Sequence, residues 1–307
     1  MPFQSSLDLL PNTSIARFAR VRFPVHRPVT GTRSGDHRSP HTGSSTEFAQ
    51  HREYSPGDEP KSIDWRAFGK TDRYYVKQYS DDTNLRAFIL LDCSASMGYS
   101  DQESRDHHRS AFSKLDYARR LAAMIAWILV RQGDAVSLIV FDDQIRLNLP
   151  MLSTTAHLHQ ILRTLSEVQA QRSSNCTAVM HEVAGQISNR GLVIVISDFL
   201  DELTQFSGAL HHLRHHNHEI IVFQTLASDE LSFPFRHTAR FRDLEELIEE
   251  QHIDPAAIRQ EYLRQINSHL SELQMACNLA EADFARFTTD LPLDDALADY
   301  FALRMMG

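Results

Sequence analysis

The chain has 307 residues, of which 42% are hydrophobic and 23% are charged, and this composition is typical of globular proteins rather than disordered or fibrous ones. Its net charge of −9, together with the lack of a recognised nucleic-acid motif, argues against binding to nucleic acid. The longest helix-like apolar stretch, residues 121–130, is far shorter than the roughly 20 residues of a membrane span, so no span is expected. Three cysteines and an N-terminus without a signal-like pattern predict a cytoplasmic protein.

Charge divides the chain into a basic N-terminal segment and an acidic remainder. Residues 1–79 hold 12 Lys and Arg against 8 Asp and Glu, a net charge of +4; the totals of 31 and 40 leave 19 and 32, a net charge of −13, for the rest. Opposite charge favours packing of this segment against its own acidic body. Because the segment contains aromatic side chains but no clean hydrophobic period, we predict that residues 1–79 form an ordered wrapping segment.

A regular alternation of apolar strands and amphipathic helices begins at Arg86. Apolar residues from Ala118 to Leu129 recur at helical spacing, and residues 135–149 indicate two strands joined by a tight turn at a sheet edge. Later strands are expected at residues 191–197, 219–226 and 283–289, with helical patterns around residues 158–165, 180–187 and 203–215.

This order predicts a doubly wound α/β domain with a mostly parallel sheet and helices on both faces. We place that domain at residues 80–245, after the N-terminal segment. Residues 246–307 are predicted to form a mainly helical C-terminal extension with one short strand.

Polar residues follow two of the predicted strands directly. Asp92 ends the run "ILLD" and precedes Ser94 and Ser96 at alternate positions, while Asp198 follows "GLVIVIS". Ligands of open α/β sheets bind at the carboxyl ends of strands, and carboxylate and hydroxyl oxygens suit a hard cation such as Mg²⁺ or Mn²⁺. Helix capping or local turns remain the alternative interpretation of Asp92, Ser94 and Ser96.

The segment "DCSASM" resembles the Asp-x-Ser-x-Ser loop in the metal-ion-dependent adhesion site of von Willebrand factor type A domains. Thr177 in "SSNCTAV" and Asp198 in "ISDF" match the later parts of that site in the same order. The resemblance implies that Ser94, Ser96 and Thr177 touch Mg²⁺, or alternatively Mn²⁺ or Ca²⁺. It also implies that Asp92 and Asp198 contribute directly or through water, and that a partner's carboxylate fills an open coordination position.

A narrower resemblance extends over nearly the whole chain. The segment "EFAQHREYSPGDEPKSIDWRAFGKTDRYYVKQY", the metal loop, "KLDYARRLA", "QGD" and "ISDF" are similar to the domain of unknown function family 58. Members of that family are von Willebrand type A-like and are often encoded beside MoxR-type AAA+ ATPases, with which they are thought to work in chaperone-like or assembly roles. The resemblance therefore implies a metal-dependent protein-interaction module that partners such an ATPase.

We expect the protein not to be an enzyme, because no general base can be identified beside the predicted metal. The alternative is a hydrolase in which the same cation activates water. In the "SPGDEPKSIDWRAF" segment, Asp58, Asp64, Trp65 and Arg66 could be catalytic, but ion pairs and an aromatic anchor are the favoured interpretation.

Three further features carry weaker signals. His211 with His215, and His212 with His216, have the i, i+4 spacing of a zinc or nickel pair, although a solvated helix end is favoured. The polar loop at residues 98–113 is expected to be exposed. Cys93 and Cys176 directly precede two predicted metal ligands, and buried free thiols are favoured over a redox-sensitive bridge.

Overall fold

The computed structural model describes residues 6–25, 34–38, 48–54, 63–71, 73–79, 82–83, 85–101, 112–187, 189–235, 239–241 and 251–306. The chain forms two compact units, one made of residues 1–24 and 86–307 and the other of residues 25–85. The N-terminal 24 residues and the C-terminal residues therefore belong to the same unit as the central domain.

Strands and helices alternate through most of the described residues. In chain order, the strands are β1 (Ser34–Arg38), β2 (Phe48–Glu53), β3 (Tyr75–Tyr79), β4 (Asp82–Thr83), β5 (Arg86–Asp92), β6 (Ala135–Phe141), β7 (Ile145–Asn148), β8 (Leu192–Ser197), β9 (Glu219–Leu226), β10 (Ala239–Phe241), β11 (Gln251–Ile253) and β12 (Asp283–Thr288). The α-helices are α1 (Asn12–Phe18), α2 (Trp65–Thr71), α3 (Lys114–Arg131), α4 (Thr155–Glu167), α5 (Cys176–Gln186), α6 (Phe206–His215), α7 (Ser228–Ser232), α8 (Pro255–Leu279) and α9 (Leu293–Met306). Single 3₁₀ turns lie at Ser6–Leu9 and Ala95–Gly98.

The smaller unit contains two antiparallel strand pairs, β1 with β4 and β2 with β3, and the short helix α2. Asp64 starts this helix, because its Oδ1 accepts hydrogen bonds from the backbone N–H groups of Arg66 and Ala67, at 2.9 and 3.2 Å. The rings of Phe68 and Tyr74 stack with centroids 4.6 Å apart. Asp64 therefore caps helix α2, a role that was not predicted from the sequence, whereas Asp58 lies outside the described residues.

The larger unit is built on a six-stranded sheet with the order β12-β9-β8-β5-β6-β7. All neighbours are parallel except β6 and β7, which form an antiparallel pair at one edge. The predicted mostly parallel α/β sheet and its edge hairpin are thus confirmed. The strand order reverses between β5 and β8, and such a reversal opens a crevice at the carboxyl ends of the strands.

Helices cover both faces of this sheet. Phe88, Leu90 and Val222 share one buried cluster with apolar residues of α5, α6 and α8. Successive strand residues point to opposite faces, so Phe223, next to Val222, faces the other layer and packs against Tyr300 of α9, with ring centroids 4.9 Å apart. Helix α3 packs on β5 and β6 in this second layer. Both faces of the strands are therefore buried, as their unbroken apolar sequences predict.

The two chain termini complete the larger unit. Strand β12 pairs in parallel with β9, so the short strand of the predicted C-terminal extension becomes the sixth strand of the central sheet. Phe18 and Phe23 pack edge-on against Phe301 of α9. Arg304 of the same helix donates a hydrogen bond to the carbonyl of Pro24 at 2.9 Å. Residues near the N-terminus thus anchor the last helix.

Candidate functional site

The candidate site lies where β5 and β8 end, next to the reversal of strand order. Strand β5 ends at Asp92, and β8 ends at Ser197, one residue before Asp198. The two strands are parallel neighbours, so their carboxyl ends open on the same edge of the sheet. The structure thereby brings together two acidic residues separated by more than a hundred positions in the chain.

The carboxylate of Asp92 is completely buried and accepts hydrogen bonds from neutral donors. Its Oδ1 accepts from the backbone N–H of Ser94 at 2.8 Å. Its Oδ2 accepts from the hydroxyl of Ser197 at 2.6 Å and from that of Ser174 at 3.2 Å. The hydroxyls of Ser94 and Ser96 lie 3.1 Å apart, so the loop directs its polar groups into one small volume.

This carboxylate lacks a cationic partner among the residues that the structure describes. Burial, followed by the nearby charge of Asp198, raises the pKa of Asp92 from 3.8 to about 7. A buried carboxylate without a counter-charge is costly, because desolvation penalises its ionised form. The site is therefore electrostatically suited to receive a cation beside Asp92.

The carboxylate of Asp198 has a different environment, because it pairs with the buried ammonium of Lys114. The Lys114 Nζ lies 2.7 Å from Asp198 Oδ2 and 2.6 Å from Glu230 Oε1, and the lysine side chain is 0% exposed. Burial alone would lower the pKa of Lys114, but the two carboxylates outweigh it and raise that pKa. Oδ2 of Asp198 is thus already occupied by a cation of the protein itself.

Helix α3 positions this lysine. Ser113 caps the helix, since its hydroxyl accepts from the N–H of Asp116 at 3.0 Å and the Asp116 carboxylate accepts from the Ser113 N–H. Lys114 therefore occupies the first helical position, where the helix dipole disfavours positive charge. Glu230 offsets this cost, and its other oxygen accepts from the N–H of Ala227 at 2.8 Å, which fixes the carboxylate.

The chain leaves Asp198 through a strained backbone. Phe199 is buried and has a φ of 51°, a left-handed conformation that bulky residues rarely adopt. The Ser197 hydroxyl accepts from the Phe199 N–H at 3.1 Å, and Gln224 donates to the Asp198 carbonyl at 3.0 Å. These bonds hold the carboxylate beside the crevice, and such conformations cluster at functional sites.

Thr177 is placed differently from the other predicted ligands. It is the second residue of α5, half-buried, and the helix is capped by Asn175, whose Oδ1 accepts from the Ala178 N–H at 3.1 Å. Ser174, three residues earlier, supplies the hydroxyl that reaches Asp92. The structure thus groups Asp92, Ser94 and Ser96 closely and sets Asp198 against Lys114, with Thr177 on an adjoining helix end.

Sequence reasoning missed four residues of this site: Ser174, Ser197, Lys114 and Glu230. Ser197 immediately precedes Asp198, and Ser174 precedes Thr177 by three positions, so both lie next to residues that the motifs did identify. Lys114 begins the segment "KLDYARRLA" but is 84 residues from its partner Asp198, and 116 from Glu230. No sequence pattern indicates a pairing across such separations.

Several weaker candidates can also be located. Cys93, Cys176 and Cys277 are buried free thiols, which confirms the favoured interpretation of the first two. Most of the predicted polar loop at residues 98–113 lies outside the described residues. Within the described part of the chain, no group of three or more His, Cys, Asp or Glu side chains is arranged to hold a metal ion. No helix in that part is long and apolar enough to cross a membrane.

Comparisons with other proteins identify relatives of unknown function. The family described as "Protein of unknown function DUF58" matches residues 50–272. Uncharacterized protein Rv1480 of Mycobacterium tuberculosis and uncharacterized protein Mb1516 of Mycobacterium bovis are each 24% identical over 288 residues, covering 92% of this chain and 86% of theirs.

Two solved structures align with much of this chain at low similarity. The conserved hypothetical protein BatB of Bacteroides thetaiotaomicron is 15% identical and has a TM-score of 0.45, with 73% of this chain and 100% of BatB covered. An aerotolerance-related membrane protein from Bacteroides fragilis is 17% identical and has a TM-score of 0.44, with 73% and 99% covered. The DUF58 family match spans well over half of the length of this chain. The chain therefore belongs to the family of proteins of unknown function DUF58.

Proposed function

We propose that this protein is a metal-dependent protein-interaction module whose larger unit works as a von Willebrand factor type A-like domain. The observation that carries the proposal is the buried Asp92 carboxylate, which accepts hydrogen bonds only from neutral donors among the described residues. A carboxylate surrounded by hydroxyls but lacking a counter-charge is suited to a hard divalent cation.

The residues around Asp92 fit Mg²⁺, or alternatively Mn²⁺ or Ca²⁺, because all of their side-chain donor atoms are oxygens. Asp92, Ser94 and Ser96 would hold the ion, with Thr177 and Asp198 contributing directly or through water as the resemblance implies. The cation would supply the positive charge that Asp92 lacks and an electrophilic position for an incoming carboxylate. Lys114 would keep the Asp198 carboxylate oriented whether or not the cation is bound.

The proposed partner is a protein that offers a carboxylate to this ion, such as a MoxR-type AAA+ ATPase in a chaperone-like or assembly process. The family resemblance suggests the class of partner. The chemistry of the site suggests the mode of contact, because Mg²⁺ keeps exchangeable water positions that an external oxygen can take. No catalytic step is required of the protein in this proposal.

Isothermal titration of the metal-free protein with Mg²⁺ tests the site directly. We expect Asp92→Asn and Ser96→Ala to weaken Mg²⁺ binding by about tenfold or more, since each loses an oxygen ligand or its charge. Ser166→Ala is the matched control, because this hydroxyl donates to the carbonyl of Arg163 in its own helix. Equal Mg²⁺ affinity in all four proteins would contradict the proposal.

Partner capture from a cell lysate, with Mg²⁺ or with EDTA, tests the function. Partners should be retained with Mg²⁺ and lost with EDTA or with Asp92→Asn. Identical partners in all three conditions would exclude metal-dependent binding. Metal-dependent turnover of phosphoesters or peptides that is lost in Asp198→Ala would instead favour the alternative function, a hydrolase using the same cation.

A further inference from the structure

A histidine cluster lies between helices α5 and α6, apart from the site around Asp92. His181 comes from α5, and His212 comes from the neighbouring helix α6. Their Nδ1 atoms lie 3.2 Å apart and their ring centroids 5.5 Å apart. His216 follows His212 by one helical turn, with ring centroids 5.3 Å apart. His181 of α5 therefore lies beside His212, a histidine on the face of the neighbouring helix α6.

The spacing of the two Nδ1 atoms matches two ligands on one metal ion. Zinc–nitrogen bonds of about 2.0–2.1 Å at tetrahedral angles place two nitrogen ligands about 3.3 Å apart. Imidazole rings on such an ion have centroids about 5 Å apart by the same geometry. Both separations within the cluster are close to these values, so only small ring rotations would direct the two lone pairs at a common point.

The surroundings of His181 favour this arrangement. Both His181 and His212 are half-buried, so their rings are held by neighbouring atoms rather than free in solvent. The imidazole Nε2 of His181 lies 3.9 Å from the position that a β-carbon on Gly208 of α6 would occupy. The ring thus lies within ordinary contact distance of α6 while its Nδ1 faces the Nδ1 of His212.

We propose that His181 and His212 form a two-ligand binding site for a borderline divalent transition metal, Zn²⁺ or Ni²⁺, with water at the remaining coordination positions. Imidazole nitrogens suit these ions and not Mg²⁺, so this site and the oxygen site around Asp92 select different metals. A metal held here clips α5 to α6, and α5 is the helix that starts at Cys176 and carries Thr177.

Without metal, the two rings form a hydrogen bond in which one Nδ1–H donates to the other Nδ1. Metal binding requires both Nδ1 lone pairs, so the donor ring changes to its other neutral tautomer, in which Nε2 carries the proton, as the ion enters. The remaining coordination positions are filled by water. The site therefore has exchangeable positions, unlike closed structural zinc sites with four protein ligands.

Titration of the full chain with Zn²⁺ and Ni²⁺, followed by calorimetry, tests the proposal, and Co²⁺ serves as a spectroscopic probe of nitrogen ligation. We expect His181→Gln and His212→Gln to weaken Zn²⁺ binding by about tenfold or more. The exposed residues His211 and His215 form the competing i, i+4 pair, so His211→Ala and His215→Ala are the matched controls and should change affinity by less than about threefold.

Three results would overturn the proposal. The first is that the unaltered chain binds neither Zn²⁺ nor Ni²⁺. The second is that His181→Gln leaves the Zn²⁺ affinity unchanged. The third is that His211→Ala or His215→Ala abolishes binding. Far-UV circular dichroism of each variant separates loss of a ligand from loss of the fold. Zn²⁺ binding should persist in Asp92→Asn, which distinguishes this site from the proposed Mg²⁺ site.

Discussion

Asp92 and Asp198 follow neighbouring parallel strands and are both buried, yet the protein balances their charges in opposite ways. Asp198 pairs with the internal cation Lys114, which also serves Glu230. Asp92 is surrounded by hydroxyl and amide donors, and its pKa is raised to about 7. The difference indicates that Asp198 is part of a structural ion pair, whereas Asp92 has no counter-charge among the described residues, and this is the basis of the proposed cation site.

The largest effect is expected from Lys114→Met, which removes the internal cation. Asp198 and Glu230 would then be buried without a partner, and breaking a buried ion pair in this way typically costs about 3–5 kcal/mol of the free energy of unfolding. Urea denaturation followed by circular dichroism measures the loss. Arg163→Met is the control, because its ion pair with Glu167 is exposed and should contribute no more than about 0.5 kcal/mol. Similar small losses in both variants would show that Lys114 does not balance Asp198.

A smaller effect of opposite sign is expected from Asp92→Asn in metal-free protein. The amide is nearly isosteric, and the hydroxyls of Ser174 and Ser197 can accept as well as donate, so the hydrogen bonds can be kept while the unbalanced charge disappears. We expect a gain of about 1–3 kcal/mol in the free energy of unfolding at pH 8. Asp198→Asn should instead lose stability, because Lys114 then keeps only Glu230 as a partner.

Mg²⁺ should reduce the difference in the free energy of unfolding between Asp92→Asn and the unaltered protein. A ligand that binds only the folded state stabilises it, and the stabilisation grows with the logarithm of the ligand concentration once this exceeds the dissociation constant. We therefore expect Mg²⁺ to stabilise the unaltered protein and not Asp92→Asn. Thermal unfolding with increasing Mg²⁺ measures both responses. If Asp92→Asn and Asp198→Asn changed the free energy of unfolding of the metal-free protein in the same direction, the proposed difference between the two aspartates would be wrong.

The smallest effect concerns His218, a buried residue that directly precedes strand β9. This histidine contributes to the dependence of the free energy of unfolding on pH. Its Nδ1 accepts from the Gly191 N–H at 3.2 Å, and burial lowers the pKa of His218 from 6.5. The unfolded chain therefore binds more protons just below pH 6.5, so His218 lowers the free energy of unfolding as the pH falls through that range.

His218→Asn keeps an acceptor for Gly191 but cannot be protonated in this range. We expect it to reduce the loss of stability between pH 7.5 and pH 5.5 by roughly 1 kcal/mol, measured by urea denaturation at each pH. The same pH dependence in His218→Asn and in unaltered protein would rule out this contribution.

The fold was largely predictable because its signals are local. Buried parallel strands have unbroken apolar runs, as in Leu192–Ser197, and helix α3 has apolar residues at helical spacing after a Ser113 cap. The position of β12 was not predictable, since nothing within Asp283–Thr288 specifies pairing with β9 some sixty residues earlier. The strand itself was detected, but its neighbour in the sheet depends on how α8 packs.

The sequence by itself determined that Asp92 and Asp198 follow buried strands, because strand ends are encoded by the residues within and just after each apolar run. Only the tertiary structure decided that Lys114 reaches Asp198 while Asp92 receives neutral donors, and that His181 meets His212. Lys114 and Asp198 are 84 positions apart in the chain, and His181 and His212 are 31 positions apart. Their physical cause is the packing of crossover helices on the sheet, which sets distances that no local pattern contains.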